Sequence, residues 1–188
     1  EIRCTSASGG IFSAIASEFL KRENHYVAGA VWKENYYVSH IVTNNKDDLT
    51  RIQNSKYVQS NTENVYEDVK ALIENGNKVL YSGTPCQIAG LYAFLGGKND
   101  NLFTIDLICH GVPSTKVLQK YLKDSYNGKE IKRLDFRDKS VFGWSTEMNI
   151  YIADDEEVHT RAGKDSFYQA FLSNLSLSPN CENCQFSR

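Results

Sequence analysis

Proline is scarce in this chain, with 3 in 188 residues. No Pro-rich linker, repeat or low-complexity tract divides it. An excess of one charge is also missing: 21 basic residues face 23 acidic ones, for a net charge of −2. That balance points away from nucleic acid and from anionic membrane surfaces. No apolar run is long enough to span a bilayer, so no transmembrane segment is expected. Glu1-Ile2-Arg3-Cys4 lacks the basic-then-apolar order of a secretory signal. The missing initiator Met reads as a piece of a longer or processed chain. Five cysteines, an odd number and widely separated, do not make a secreted disulfide framework. They read as thiol ligands in a cytoplasmic protein.

What is present is an ordinary globular composition, 41% hydrophobic and 23% charged, enough for one core. The 11 Tyr and 9 Phe fill cores first and allow a ring-stacking cofactor site second. Apolar residues at 11, 12, 15, 16, 19 and 20 predict a helix after Ser8-Gly9-Gly10. Tyr26–Trp32 and Tyr36–Thr43 predict a hairpin around Lys33-Glu34-Asn35. Asn61-Thr62 predicts the cap of a helix running to about Asn75. Then come a strand at Lys78–Ser82, a helix opened by Thr84-Pro85, a strand at Leu102–Ile108 and a helix capped by Ser114. Strand–helix–strand order implies parallel neighbours and a right-handed crossover. Strands at Ile131–Arg137, Glu147–Ala153 and Glu157–Arg161, with a turn at Asp154-Asp155-Glu156, predict an antiparallel segment. Asp165-Ser166 predicts the cap of a last helix through Leu175. The expected fold is α/β: a mixed, partly parallel sheet flanked by helices, with an antiparallel C-terminal portion.

Four cysteines occupy places suited to one task. Cys86 follows Gly83-Thr84-Pro85, Cys109 follows Asp106-Leu107-Ile108, and Cys181 and Cys184 form a C-x-x-C knuckle. Cys86 and Cys109 each lie just past a predicted strand end, where parallel sheets gather ligands. Four thiolates suit an iron–sulfur cluster or a structural zinc. Cys4 matches no motif and reads as a free or buried thiol, and His110 reads as a turn cap beside a ligand candidate. Ser8-Gly9-Gly10 before a helix makes either an anion cradle or an ordinary cap. The polar stretch Lys56, Tyr57, Gln59 and Ser60 is either a binding loop or a solvated one. Thr84 faces either a ligand or its own helix cap. Arg137-Asp138-Lys139 is either a structural ion pair or an anion clamp.

The chain resembles the beta-subunit family of coenzyme F420-reducing hydrogenases and dehydrogenases. The resemblance rests on Ser8-Gly9-Gly10-Ile11-Phe12-Ser13, Lys56-Tyr57-Val58-Gln59-Ser60, Ser82-Gly83-Thr84-Pro85-Cys86-Gln87, Asp106 to Pro113, Phe136-Arg137-Asp138-Lys139 with Gly143-Trp144, and Phe167-Tyr168 through the terminal C-x-x-C. It implies a flavin- and iron–sulfur-dependent oxidoreductase that uses FAD and a 4Fe-4S cluster. Such a protein passes electrons between a deazaflavin or other hydride carrier and a redox partner protein or ferredoxin-like domain. Carried onto these positions, Cys86, Cys109, Cys181 and Cys184 bind the cluster. Ser8, Gly9, Gly10, Lys56, Tyr57, Gln59, Ser60 and Thr84 bind the flavin, with Lys56 near its pyrimidine edge. No side chain is needed as nucleophile or general base. The family's Asp- and Gly-rich segment beyond the C-x-x-C is absent, as is the N-terminal ferredoxin-like domain of many bacterial relatives. Residues 1–188 therefore read as a single domain from a longer protein. Two other readings remain: a zinc-stabilised assembly module, and a thiol–disulfide protein using Cys181 and Cys184. The second lacks the strand-then-helix setting that activates such a pair.

Overall fold

Alternating burial along two adjacent strands explains the first layer of the computed structural model, which describes residues 2–186 except 142, 145, 146, 154 and 155. On β1 (His25–Trp32) and β4 (Lys78–Gly83), Val27, Val31 and Leu80 face one side while Ala28, Val79 and Tyr81 face the other. Both faces are covered. α2 (Ile11–Phe19) and α3 (Leu49–Ile52) bring Ala16, Leu49 and Ile52 to the first. α4 (Val65–Glu74) and α5 (Pro85–Leu95) bring Val69, Ile73, Ile88 and Leu91 to the second. Such strands lose their polar face and read as nearly continuous apolar runs.

The sheet has the order β3-β2-β1-β4-β5, with β2 at Val38–Thr43, β3 at Ser60–Asn61 and β5 at Leu102–Asp106. β1 and β2 are the expected antiparallel hairpin, closed by a 3-10 turn over Glu34–Tyr36. β1, β4 and β5 run parallel. A second sheet, β6-β7-β8, is antiparallel and formed by Ile131–Phe136, Glu147–Ile152 and Glu157–Arg161. The inner residues Leu134, Phe136, Met148 and Ile150 join Val38, Val58, α6 (Thr115–Ser125) and α7 (Ser166–Leu172) in one core. Each such side chain buried whole contributes about 1.5–3 kcal/mol. Two short helices, α1 (Ile2–Thr5) and α8 (Pro179–Glu182), complete the chain. No helix among the described residues is long and apolar enough to cross a membrane.

Several expected boundaries move, and for three of them the local reason is plain. The helix expected at Asn61-Thr62 begins at Val65, because Ser60 and Asn61 pair with β2 as an edge strand. β5 stops at Asp106 rather than Ile108. Its partner β4 ends at Gly83, where Pro85 opens α5, and Leu107 N–H makes the last ladder bond to Gly83 O. α7 ends at Leu172, because Asn174 adopts φ 64° and Leu175 N–H folds back onto Ala170 O. Its start is as expected, with Asp165 accepting from Tyr168 N–H at 2.9 Å. Residues 154 and 155 of the expected turn lie outside the described residues.

Candidate functional site

The loop after Cys109 and the tail before Cys181 are stitched together. After β5, residues 110–113 run beside 177–178: Pro113 bridges Leu177, and Ser178 N–H donates to Val112 O at 2.8 Å. His110 Nε2 contacts Phe171 O at 3.2 Å and its ring packs edge-on against Phe171. The histidine thus anchors the loop to α7 rather than capping its own turn. The tail then turns into α8, and Cys181 N–H donates to Ser178 O at 2.8 Å. Cys86 lies in the first turn of α5. Among the described residues none of Cys86, Cys109, Cys181 and Cys184 forms a disulfide. Burial pushes the Cys109 thiol up, a hydrogen bond from the Gly111 backbone pulls it down, and the charges of Cys86, Cys181 and Cys184 each push it up. Cys109 therefore lies within electrostatic reach of the other three sulfurs. Among the described residues no three His, Cys, Asp or Glu side chains converge closely enough to hold a single metal ion.

A chain of polar side chains leads from the sheet core to Cys86. His40 is buried, stacks on Tyr81 at 5.3 Å and meets Ser82 O at 3.1 Å through Nε2. A carbonyl only accepts, so Nε2 carries the proton. Nδ1 is then the acceptor for the Ser60 hydroxyl, 3.2 Å away. Ser60 Oγ in turn accepts from Gln87 Nε2 at 2.9 Å. Gln87 Oε1 accepts the Thr84 backbone N–H at 3.0 Å, completing a capping box at the start of α5. Burial pulls the His40 imidazole down to about 4, partly opposed by its bond to Ser82, while the nearby Lys56 pulls it further down. The ring is neutral, in agreement with its single proton.

A cleft of about 1410 Å³ lies between the N-terminal segment, α3 and β6. Eight lysines and arginines line it against four carboxylates. Lys56 reaches Ile52 O and Asn54 O at 3.3 and 2.8 Å. Burial pulls its ammonium down to about 7, with Asp135 acting in the opposite sense. Arg137 adopts φ 58°, and its buried Nε has no hydrogen-bond partner among the described residues. Asp138 is engaged elsewhere, with Oδ1 accepting the Ser140 N–H at 2.7 Å and its hydroxyl. Lys139 donates to Arg3 O and Ser8 O at 2.9 and 2.8 Å and stands 4.0 Å over the Trp144 ring. Arg3 lies 5.0 Å over the same ring.

Of the residues expected at a flavin, Lys56 lines the cleft, while Ser60 and Thr84 belong to the polar chain beside Cys86. Thr84 serves its helix cap and touches Cys86, with Oγ1 3.2 Å from Sγ. The Tyr57 ring stacks on Phe171 at 5.0 Å and contacts Phe136 and Tyr168. Gln59 is exposed and donates its backbone N–H to Pro113 O. Ser8 and Gly9 are exposed, and Gly10 is the left-handed N-cap of α2, at φ 84°, with no side-chain cap. Cys4 is an exposed free thiol at the cleft wall. His40, Arg3 and the strap held by Lys139 were not read from sequence. His40 alone left a signal, as a polar ring inside the apolar run of β2.

Residues 76–187 match the family model for the C terminus of the coenzyme F420 hydrogenase/dehydrogenase beta subunit. The chain belongs to the coenzyme F420 hydrogenase/dehydrogenase beta-subunit family. The matched stretch contains Cys86, Cys109, Cys181 and Cys184. No curated protein sequence matches the chain. Among solved structures, a chain of the xenon-derivatised F420-reducing NiFe hydrogenase complex from Methanosarcina barkeri is similar in fold, with a TM-score of 0.60 and 18% identity. The match covers 96% of this chain and 60% of that one. This family member thus spans about three-fifths of the hydrogenase chain.

Proposed function

We propose that this chain is the flavin- and iron–sulfur-dependent part of an oxidoreductase that moves electrons between a two-electron carrier of the coenzyme F420 type and a one-electron partner protein. Family membership supports this reading, and the observation that carries it is that Cys86, Cys181 and Cys184 all lie within electrostatic reach of Cys109. The donor set fits a 4Fe-4S cluster better than zinc. A single zinc draws four sulfurs to within roughly 3.8 Å of one another, given its Zn–S bond length. A cluster takes one thiolate on each corner iron and so accepts a wider opening. Cys86, Cys109, Cys181 and Cys184 would hold it. The cationic cleft is larger than the roughly 300–1,000 Å³ of an ordinary small-molecule site, and FAD fits its charge and size. When bound, FAD supplies the change between two-electron hydride transfer and single-electron steps, and the cluster supplies one-electron conduction.

The chain's own part is to bind, orient and tune. The unpartnered Arg137 guanidinium nitrogen would meet a phosphate of the flavin or its carrier. The uncapped start of α2 behind Ser8-Gly9-Gly10 would offer backbone N–H groups to another. Lys56, partly charged near neutral pH, would favour an anionic reduced ring. The test is the visible spectrum of the anaerobically purified full-length protein, before and after reconstitution with iron and sulfide. Flavin bands with the broad absorption of a thiolate-held cluster are expected. A colourless protein with stoichiometric zinc refutes the reading, and cluster absorption unchanged by both Cys86→Ser and Cys181→Ser refutes the ligand set.

A further inference from the structure

The polar chain ending at Thr84 has one proton to spare. Gln87 cannot turn its amide around. Ser60 O, at 3.3 Å from Nε2, can only accept, and the Thr84 backbone N–H, at 3.0 Å from Oε1, can only donate. Gln87 Oε1 is therefore already satisfied by that N–H. The Thr84 hydroxyl accepts the Gln87 backbone N–H in the capping box. Its own proton has two acceptors in reach, Gln87 Oε1 at 3.1 Å and Cys86 Sγ at 3.2 Å. Turning to the sulfur leaves no buried group unpaired, so the competition favours whichever acceptor carries charge.

We infer that the Thr84 hydroxyl is the hydrogen-bond donor to the sulfur of Cys86, and that His40, acting through Ser60 and Gln87, is the residue that positions it. The tuning role follows from the reading of Cys86 as a cluster ligand and rests on it. A hydrogen bond to a ligating sulfur stabilises the added electron and raises the reduction potential. Without a cluster the same two atoms remain in contact at 3.2 Å, and either the hydroxyl or the thiol can donate. His40 reaches Ser60 from β2 and Ser82 O from β4, so the donor is referenced to two strands of the sheet.

The first measurement needs no cluster. The infrared S–H stretch of Cys86 in the reduced, metal-free chain is assigned by its loss in Cys86→Ala. Thr84→Val is expected to shift that band, Thr84→Ser to restore it, and His40→Phe to move it toward the Thr84→Val position. A band unmoved by Thr84→Val, or moved equally by Thr84→Ser, overturns the contact and the donor with it. A band unmoved by His40→Phe overturns the positioning role. The second measurement is the midpoint potential of the reconstituted protein, expected lower in Thr84→Val and unchanged in Thr84→Ser. Equal potentials in all three overturn the tuning. Absence of cluster absorption in the unsubstituted protein defeats the ligand reading and leaves the infrared result standing.

Discussion

Gly111 lies directly beneath Leu177: a Cβ on residue 111 would sit 2.6 Å from Leu177 Cδ1. This contact lies within the seam that brings the C-x-x-C tail to Cys109. Two obstacles oppose a side chain there, and they differ in weight. The Leu177 methyl is the end of a flexible side chain and can swing away. The backbone at φ 138° cannot be relieved so easily, since that region belongs to glycine.

Gly111→Ala is therefore expected to lower stability by roughly 1–3 kcal/mol, or about 2–4 °C of Tm for each kcal/mol in a chain this long. It should also loosen the Pro113–Leu177 bridge, so that iron and sulfide reconstitution falls sharply. Gly9→Ala is the control, because nothing lies within 4 Å of its built Cβ and its φ is not positive. Calorimetry and visible absorption on both variants check the pair. Equal effects would show that the seam does not set the thiol geometry.

Buried His40 predicts an acid limb to the stability curve. Its folded pKa of about 4 lies below the ordinary 6.5. Between those values the unfolded chain binds a proton that the folded chain does not, so stability falls as pH drops through the window. The full loss is about 3 kcal/mol. Urea midpoints measured from pH 7 to pH 4 should show this slope in the unsubstituted protein and a much flatter one in His40→Phe, whose ring still stacks on Tyr81. Parallel slopes would place the acid sensitivity on other groups.

Lys56 predicts a second slope on the alkaline side. Its folded pKa of about 7 lies below the ordinary 10.5. Between those values the unfolded chain is again the better proton binder, so stability rises with pH from about 7 to 10.5 and is flat, for this group, below 7. Lys56→Met should remove that rise. The same variant should bind FAD more weakly, by roughly tenfold for one lost charge-assisted contact. Denaturation across the alkaline range and flavin fluorescence titration read the two effects separately.

Much of this architecture was legible because it is periodic. The hairpin around Glu34, the β4–α5–β5 crossover and the Asp165 cap follow from local pattern alone. The places of Cys86 and Cys109 follow too, since a strand that stops at Gly83 or Asp106 delivers the third residue beyond it to the sheet edge. The misplaced ends of β5 and α7 came from apolar residues that are not core. Leu107 and Ile108 extend the run of β5 but are 49% and 95% exposed, because no strand continues beside them. β3 was invisible because two residues carry no period. The cleft was invisible for another reason: its walls come from residues far apart in the chain, such as Arg3, Lys56 and Lys139. The tail's approach to Cys109 likewise depends on the bridge between Pro113 and Leu177, which no local pattern encodes.

The strap at residues 3–8 offers the sharpest separation of stability from binding. Lys139 spends two donors on Arg3 O and Ser8 O, and its charge lies over Trp144. These contacts are solvent-exposed, so each adds little to global stability, on the order of 0–1 kcal/mol. Their effect is local. They fix the wall of the cleft and the approach to Gly9 and Gly10 against the second sheet. Lys139→Met keeps a side chain of similar length while removing both hydrogen bonds and the charge over Trp144. The expected outcome is a Tm within a few degrees of the unsubstituted protein, faster amide exchange over residues 3–8, and roughly tenfold weaker FAD binding. Lys139→Arg, which retains charge and donors, should recover much of the affinity. If the strap exchanges at the same rate in Lys139→Met, the two carbonyl contacts do not hold it. If exchange rises but FAD affinity holds, the strap is not part of the flavin site, and the cradle at Ser8-Gly9-Gly10 falls with it.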